Sequence, residues 1–115
     1  MSDYKNLEVW EKSISLVLEA YAVTNNFPKE ERYALADQIR RATVSIPSNI
    51  AEGASRNTRK EFIQFIYIAL GSASELETQI IIAEKLGYIK NKESLLSEIT
   101  VIRKMLNALI SSLKR

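Results

Sequence analysis

Apolar residues recur at steps of three and four through four successive segments of this chain. No segment alternates apolar and polar residues with the period of a strand. Helical spacing places the apolar side chains of each segment on one face, which must then be buried. Short connections between helices of similar length favour neighbours that run in opposite directions. The pattern predicts an all-α fold, an antiparallel up-and-down four-helix bundle, with helices at about residues 6–25, 29–54, 58–86 and 92–114.

The four apolar stripes predict the core. They consist of Leu7, Trp10, Ile14, Val17 and Tyr21; Leu35, Ile39, Ala42, Ile46, Asn49 and Gly53; Phe62, Ile66, Ala69, Ala73, Leu76, Ile80, Ala83 and Leu86; and Leu95, Ile99, Ile102, Leu106, Leu109 and Leu113. Thr58, with Glu61 three residues later, has the spacing of a capping box, which begins a helix. Gly87 is placed to end the same helix.

Composition narrows the classes of function. With 115 residues the chain fits one domain, residues 1–115. It has neither cysteine nor histidine, so most nucleophilic, general-base and transition-metal sites cannot be assembled, including the histidine-dependent di-iron sites of helical bundles. We therefore expect no catalytic, metal or cofactor site and no enzymatic activity. Carboxylate catalysis through Glu52, Glu75 or Glu77 stays open as an alternative.

The N-terminal residues lack the basic and apolar regions of a signal peptide. The longest apolar stretch, residues 62–70, is shorter than the roughly 20 residues that a membrane span needs. These features predict a soluble, cytoplasmic protein without a membrane partner.

The region from Arg40 to Lys60 combines an unusual shape with positive charge. Pro47 lies inside the predicted second helix, where a proline removes a backbone donor and kinks the helix. The basic residues of the region are Arg40, Arg41, Arg56, Arg59 and Lys60. Such side chains can contact the phosphates of RNA or DNA without reading sequence. The alternative is that the arginines serve internal or intersubunit ion pairs.

Polar residues on the inward side of the second helix need partners if they are buried. Asn49 falls on the apolar stripe, and Glu52 lies one turn after Ser48. We expect a structural polar network in which Glu52 or Glu75 pairs with Arg41 and Asn49 bonds to backbone freed by Pro47.

The third helix is apolar on more than one face. Ile63, Tyr67 and Leu70 lie beside its main stripe. A helix with so wide an apolar surface must bury it against more than one groove. We expect these residues to form the interface of a homo-oligomer, and the alternative is a generous core within one chain.

Several motifs together resemble one family. They are Leu7-Glu8-Val9-Trp10, Phe27-Pro28-Lys29-Glu30-Glu31, Gln38-Ile39-Arg40-Arg41-Ala42, Ser45-Ile46-Pro47-Ser48-Asn49-Ile50-Ala51-Glu52-Gly53, Glu61-Phe62-Ile63 and Ala69-Leu70-Gly71-Ser72-Ala73-Ser74-Glu75-Leu76-Glu77. In this order, over roughly residues 4–89, they resemble the 23S rRNA intervening-sequence protein family of bacterial four-helix bundles.

The resemblance implies an up-and-down bundle that assembles as a homopentamer with a central opening. It also implies kinship with the accessory variability determinant of diversity-generating retroelements, which partners a reverse transcriptase and nucleic acid. The expected function is therefore a non-enzymatic, ring-forming adaptor or assembly module that offers a basic surface to RNA or DNA. Its partners would be further copies of itself, nucleic acid, and a reverse transcriptase or another protein. The alternative is a purely structural or protein-binding homo-oligomer.

Overall fold

A computed structural model describes residues 3–115, and within them the chain forms four α-helices and no strand. The helices are α1 (Glu8–Thr24), α2 (Leu35–Ala54), α3 (Arg59–Lys85) and α4 (Glu93–Lys114). Two short 3₁₀ helices, Tyr4–Asn6 and Lys29–Glu31, precede α1 and α2. The prediction of an all-α fold with four helices is confirmed.

The helices enclose one elongated core. Helix α2 packs against α1 and α3, and α4 packs against the same two helices. The chain measures 45 × 23 × 20 Å. The largest fully buried side chains are Leu16, Ile39, Ile46, Ile50, Ile66, Leu76, Ile80, Leu95, Ile99, Ile102 and Leu106. These residues come from all four helices, so the core is shared and no helix stands apart from it.

The stripe predicted for α1 is wrong by a fraction of a turn. The buried residues of α1 are Val9, Ser13, Leu16, Ala20 and Thr24. Of the predicted stripe, Leu7, Trp10, Ile14 and Val17 are only partly buried and Tyr21 is exposed. The larger apolar residues flank the buried face, whose small and hydroxyl side chains allow close packing. The hydroxyls of Ser13 and Thr24 are satisfied by backbone carbonyls one turn earlier.

Helix α2 begins six residues later than predicted. Residues 29–31 form a separate 3₁₀ turn, and Ala34 interrupts the helix with φ −122° and ψ −108°. The Glu31 carboxylate then accepts a hydrogen bond from the backbone N–H of Leu35, at 3.3 Å. Glu30 and Glu31 therefore belong to the preceding turn, and Glu31 caps α2 from outside the helix.

Pro47 is buried inside α2, which continues through it to Ala54. Proline has no N–H, so the carbonyl of Thr43 one turn earlier loses its helical partner. At the end of α2, Gly53 lies where α2 and α3 come closest. A Cβ placed there would lie 2.8 Å from Phe65 Cβ and 2.9 Å from Phe62 Cδ1. Glycine is therefore required at this position by contact between helices.

Both predicted signals at the ends of α3 are confirmed. The Thr58 hydroxyl accepts a hydrogen bond from the backbone N–H of Glu61 at 3.1 Å. At the other end Gly87 has φ +84°, and the N–H of Tyr88 donates to the Ala83 carbonyl at 2.9 Å. The N–H of Gly87 also donates to Glu84, which completes a Schellman motif.

Helix α3 is long and apolar enough, by length and composition alone, to cross a membrane. Seven of its eight predicted stripe residues, from Phe62 to Ala83, are nevertheless buried against the other helices, and the eighth, Leu86, is exposed. Its place in the core of the bundle thus explains part of its apolar character, and exposed residues such as Tyr67 and Ile68 account for the rest.

Candidate functional site

The five predicted basic residues do not form one patch. Arg40 and Arg41 lie in the first half of α2, whereas Arg56, Arg59 and Lys60 lie at the connection between α2 and α3. At 1.5 Å per residue, Arg41 and Arg56 are separated by about 22 Å along the helix axis. We call Arg56, Arg59 and Lys60 the connection cluster.

Arg40 is half-buried and is held against α1. Its Nε donates to the Thr24 hydroxyl at 2.9 Å, and one terminal nitrogen donates to Asn25 Oδ1 at 3.0 Å. The guanidinium also lies over the Tyr21 ring, 4.9 Å from its centre. All of these partners are neutral, so the positive charge of Arg40 is positioned without being neutralised.

Arg41 is more exposed than Arg40, although both line a shallow groove that also includes Tyr21 and Asp37. Its side chain is 79% exposed and forms an ion pair with Asp37, one turn earlier, at 2.9 Å. Exposed pairs at this spacing contribute about 0.3–0.5 kcal/mol to stability. The adjacent arginines of α2 therefore have different environments, as expected for side chains about 100° apart around a helix.

The connection cluster is exposed. Arg56 pairs with Glu52 at 2.9 Å and lies over the Phe65 ring, 4.8 Å from its centre. Arg59 and Lys60 have no ion pair within residues 3–115. Two uncompensated cations thus begin α3, beside an arginine that is fixed on an aromatic ring.

The expected polar network takes a different form. Glu52 pairs with Arg56 and not with Arg41, and Glu75 is exposed on α3. Asn49 donates to the carbonyl and the hydroxyl of Ser45, at 2.7 and 2.9 Å, and not to the Thr43 carbonyl that Pro47 frees. Glu52 and Glu75 lie outside the buried face, so solvent can hydrate their charges.

One contact between α2 and α3 is a hydrogen bond between two serine hydroxyls. The Ser45 and Ser72 hydroxyls are 2.8 Å apart, and Ser72 is buried. Small side chains let the two helices approach closely and still satisfy each other's hydroxyls. Sequence reasoning missed this pair, because Ser45 and Ser72 are 27 positions apart.

Gln79 has an unusual environment one turn beyond Glu75. It is buried, and its Oε1 has no hydrogen-bond partner within the described residues. It lines a small cavity of about 290 Å³ with Gln38, Arg41 and Glu75. This is a polar groove between α2 and α3.

The residues predicted for an oligomer interface are only partly available. Ile63 and Leu70 are half-buried and pack against the core of their own chain. Tyr67 is 51% exposed, with its hydroxyl 3.4 Å from Lys114 Nζ. Next to it Ile68 is also 51% exposed. The outward apolar face of α3 therefore lies around Tyr67 and Ile68, because Ile63 and Leu70 are already partly covered by the core of their own chain.

The α1–α2 connection and the α3–α4 connection are joined by a contact that the sequence did not indicate. The Tyr88 hydroxyl donates to Glu31 at 2.9 Å, and the Tyr88 ring lies 5.4 Å from that of Phe27. The hydrogen bond to Glu31, then burial, then the negative charges of Glu31 and Glu30 raise the pKa of Tyr88. The residues involved are 57 positions apart, so no local pattern could have identified the pair.

A cavity of about 370 Å³ opens beside Arg40, between the α1–α2 connection and the first turns of α2. Its charged lining residues are Lys29, Arg32 and Arg40, and no carboxylate lines it. We call it the Arg40 cavity. Its lining holds three cations, whereas the cavity beside Tyr88 holds only Lys90, and the two grooves that contain Arg41 each include a carboxylate.

The chain is similar to one protein family and to solved structures, of which one is described here. The model of the 23S rRNA-intervening sequence protein family matches residues 5–108. A solved structure from Bacteroides thetaiotaomicron, a protein of unknown function from the S23 ribosomal protein family, superposes with a TM-score of 0.82 at 28% sequence identity. The alignment covers 90% of this chain and 95% of that one. No curated protein matches.

Proposed function

This chain belongs to the 23S rRNA-intervening sequence protein family, and from that premise we propose that it is a non-enzymatic adaptor. In this proposal it assembles as a ring-like homo-oligomer, a pentamer, and contacts RNA or DNA through basic side chains. It works in the cytoplasm without a membrane partner, and a reverse transcriptase or another protein can join the assembly.

The bundle is antiparallel and up-and-down in this proposal. Two contacts between α3 and α4 support it. Tyr67, early in α3, contacts Lys114 at the end of α4, and Glu84, late in α3, pairs with Lys92 just before α4. The start of α3 therefore lies beside the end of α4, and the end of α3 lies beside the start of α4, as expected for two helices that run in opposite directions. The short connections between consecutive helices extend the arrangement to the other pairs.

The outer face of α3 supports assembly. Residues 62–74 contain no charged side chain, although Tyr67 and Ile68 face solvent and Gly71 has open space around it. Beyond the exposed Glu75, Ile82 near the end of α3 and Leu86, which follows the helix, are 43% and 55% exposed. Exposed apolar side chains such as Tyr67 and Ile68, within an uncharged segment, are typical of a surface that is covered by another protein. A second copy of the chain is the occupant in this proposal.

The connection cluster is the observation that carries the nucleic-acid role. Arg59 and Lys60 are exposed and have no ion pair within the described residues, and Arg56 is held over Phe65. Cations that are free of carboxylates can replace the counterions of a phosphate backbone. A ring would repeat the cluster in every subunit and raise a weak affinity through multivalency.

The test is salt-dependent binding. A structured RNA and a DNA duplex are titrated with the protein at several salt concentrations, using wild type and the double variant Arg59→Ala/Lys60→Ala. We expect wild-type affinity to fall as the salt concentration rises. In a plot of log affinity against log salt concentration, the slope for the variant should be smaller by about 0.7–0.9 for each phosphate contact removed. Arg41→Ala is the matched control, because Arg41 is already paired with Asp37. No binding of either nucleic acid at low salt would contradict the proposal.

The second candidate is a structural or protein-binding homo-oligomer without nucleic acid. It is favoured by the ion pairs that Arg41, Arg56, Arg103 and Lys92 make with carboxylates of the same chain. The same titration separates the two candidates, since this one predicts normal assembly and no affinity for polyanions.

A further inference from the structure

We propose that the Arg40 cavity binds a phosphate group carried as a monoester or as free phosphate. The cavity lies at the α1–α2 connection, about 24 Å along α2 from Arg56. It is therefore a separate site from the connection cluster. The inference goes beyond the adaptor role and does not depend on it.

The charge of the lining identifies the ligand as an anion. Lys29, Arg32 and Arg40 contribute three positive charges, and no aspartate or glutamate lines the cavity. The nearby acids Glu31 and Asp37 are engaged elsewhere, with Tyr88 and Arg41. Three cations suit a doubly charged oxyanion better than a carboxylate, whose single charge one arginine can neutralise.

Arg40 is arranged as a ligand-binding arginine. Its bonds to Thr24 and Asn25 occupy two of its five N–H donors, and three remain for a ligand. The Thr24 hydroxyl that accepts from Arg40 is itself fixed, since it donates to the Ala20 carbonyl at 2.8 Å. Stacking on Tyr21 further restricts the guanidinium plane. Such a preorganised fork matches two oxygens of a phosphate at once.

The size and lining of the cavity suit a phosphate carried on a single group. Its volume of about 370 Å³ is ample for a phosphate and part of the group that carries it. Phe27 and Pro28 supply an apolar portion of the wall beside the cations. A strand phosphate linked on both sides needs an open groove, whereas a monoester can enter a cavity end-on. The phosphate could come from a small metabolite or from the 5′ end of a nucleic acid.

The experiment measures binding of inorganic phosphate to the full chain at constant ionic strength, with chloride as the reference anion. We expect phosphate to shift the amide resonances of Thr24 and Asn25 and to bind more tightly than chloride. Arg32→Gln and Arg40→Lys should each weaken phosphate binding about tenfold, because each removes charge-assisted hydrogen bonds.

Arg40→Lys can destabilise the fold, and Arg32→Gln is the variant that avoids this problem. Arg32 is exposed, and its side chain makes no hydrogen bond or ion pair within residues 3–115. Arg41→Gln is the control, and it should change phosphate affinity less than twofold. The proposal is overturned if phosphate binds no better than chloride, or if Arg41→Gln weakens binding as much as Arg32→Gln does.

Two oligonucleotides of the same sequence distinguish the sources of the phosphate. If a 5′-phosphorylated strand binds more tightly than its 5′-hydroxyl counterpart, and Arg32→Gln removes the difference, the site takes nucleic-acid ends. If free phosphate binds but the two strands bind alike, the site takes a small phosphorylated molecule. Arg59→Ala/Lys60→Ala should leave phosphate binding unchanged in both cases, so failure of the adaptor role and failure of this site give different results.

Discussion

Gly53 shows how one missing side chain sets the distance between two helices. An added Cβ would lie 2.8 Å from Phe65 Cβ, whereas a Cβ at Gly71 would meet nothing within 4 Å. Overpacking costs about 1–3 kcal/mol, against a gain in helix propensity of about 1 kcal/mol for alanine over glycine. We expect Gly53→Ala to lower the free energy of unfolding in urea and Gly71→Ala to raise it by up to about 1 kcal/mol. Equal effects of the two substitutions would show that α2 and α3 can separate freely.

The hydrogen bond from Tyr88 to Glu31 predicts a dependence of stability on pH. The pKa of Tyr88 is raised above its ordinary value of 10.0, so the folded state favours the neutral phenol. This contribution is fully present below pH 10 and is lost as pH rises toward the folded pKa. We expect wild type to lose more stability than Tyr88→Phe as the pH is raised above 10, as measured by urea denaturation at each pH. Parallel pH profiles for the two proteins would contradict the assignment.

At the level of elements, Pro47 tests whether the shape of α2 matters. Replacement by alanine restores a backbone donor to the Thr43 carbonyl but leaves space where the buried ring was. Because these effects oppose each other, we expect Pro47→Ala to change the free energy of unfolding by less than about 1 kcal/mol. We also expect a straighter helix and an altered assembly equilibrium, observed by sedimentation velocity. Unchanged assembly would mean that a bend at Pro47 has no role in it.

The elements also show what the sequence could predict. The α3 stripe was identified almost completely, because its apolar residues are large and its ends carry Thr58 and Gly87 as local signals. The buried face of α1 could not be found in the same way, since it uses Ser13 and Thr24 and leaves Leu18 exposed. Its polarity is compensated by hydrogen bonds within the helix, which hydrophobic periodicity does not detect.

The candidate site is harder to predict than the fold, because basic residues that are near one another in sequence need not be near one another in space. Arg40 and Arg56 illustrate this, since they lie toward opposite ends of α2. A helix separates residues by 1.5 Å for each position, so the basic region divides into two places. The Arg40 cavity needs Lys29 and Arg32, which neither the apolar pattern nor the family resemblance indicated. The ion pairs of Arg41 and Arg56 are local to α2, and helical spacing alone would have predicted them.

At the scale of the whole molecule, the surface divides into regions with different expected partners. The Arg40 cavity and the connection cluster lie near opposite ends of α2. The uncharged part of α3, residues 62–74, begins beside the connection cluster and ends before the exposed Glu75. If copies of the chain associate through α3, both basic regions remain at the ends of the bundle and are repeated around the assembly.

Assembly through α3 can be tested with a charge placed in the middle of its outer face. Ile68 is 51% exposed, so Ile68→Glu should leave the fold of one chain intact while placing a carboxylate in an apolar interface. We expect wild type to sediment as an oligomer at micromolar concentration and Ile68→Glu to sediment as a single 13.1 kDa chain with an unchanged helical circular dichroism spectrum.

Leu18→Glu is the matched control, since Leu18 is 68% exposed on α1, outside this face. It should keep the wild-type mass, because the added charge stays in water. If both variants dissociate, the interface is not limited to the outer face of α3. If the wild-type protein is already monomeric, the proposal of a ring-like oligomer is wrong. Ile63→Glu and Leu70→Glu are less informative, because these side chains pack against their own core and their loss would also destabilise the chain.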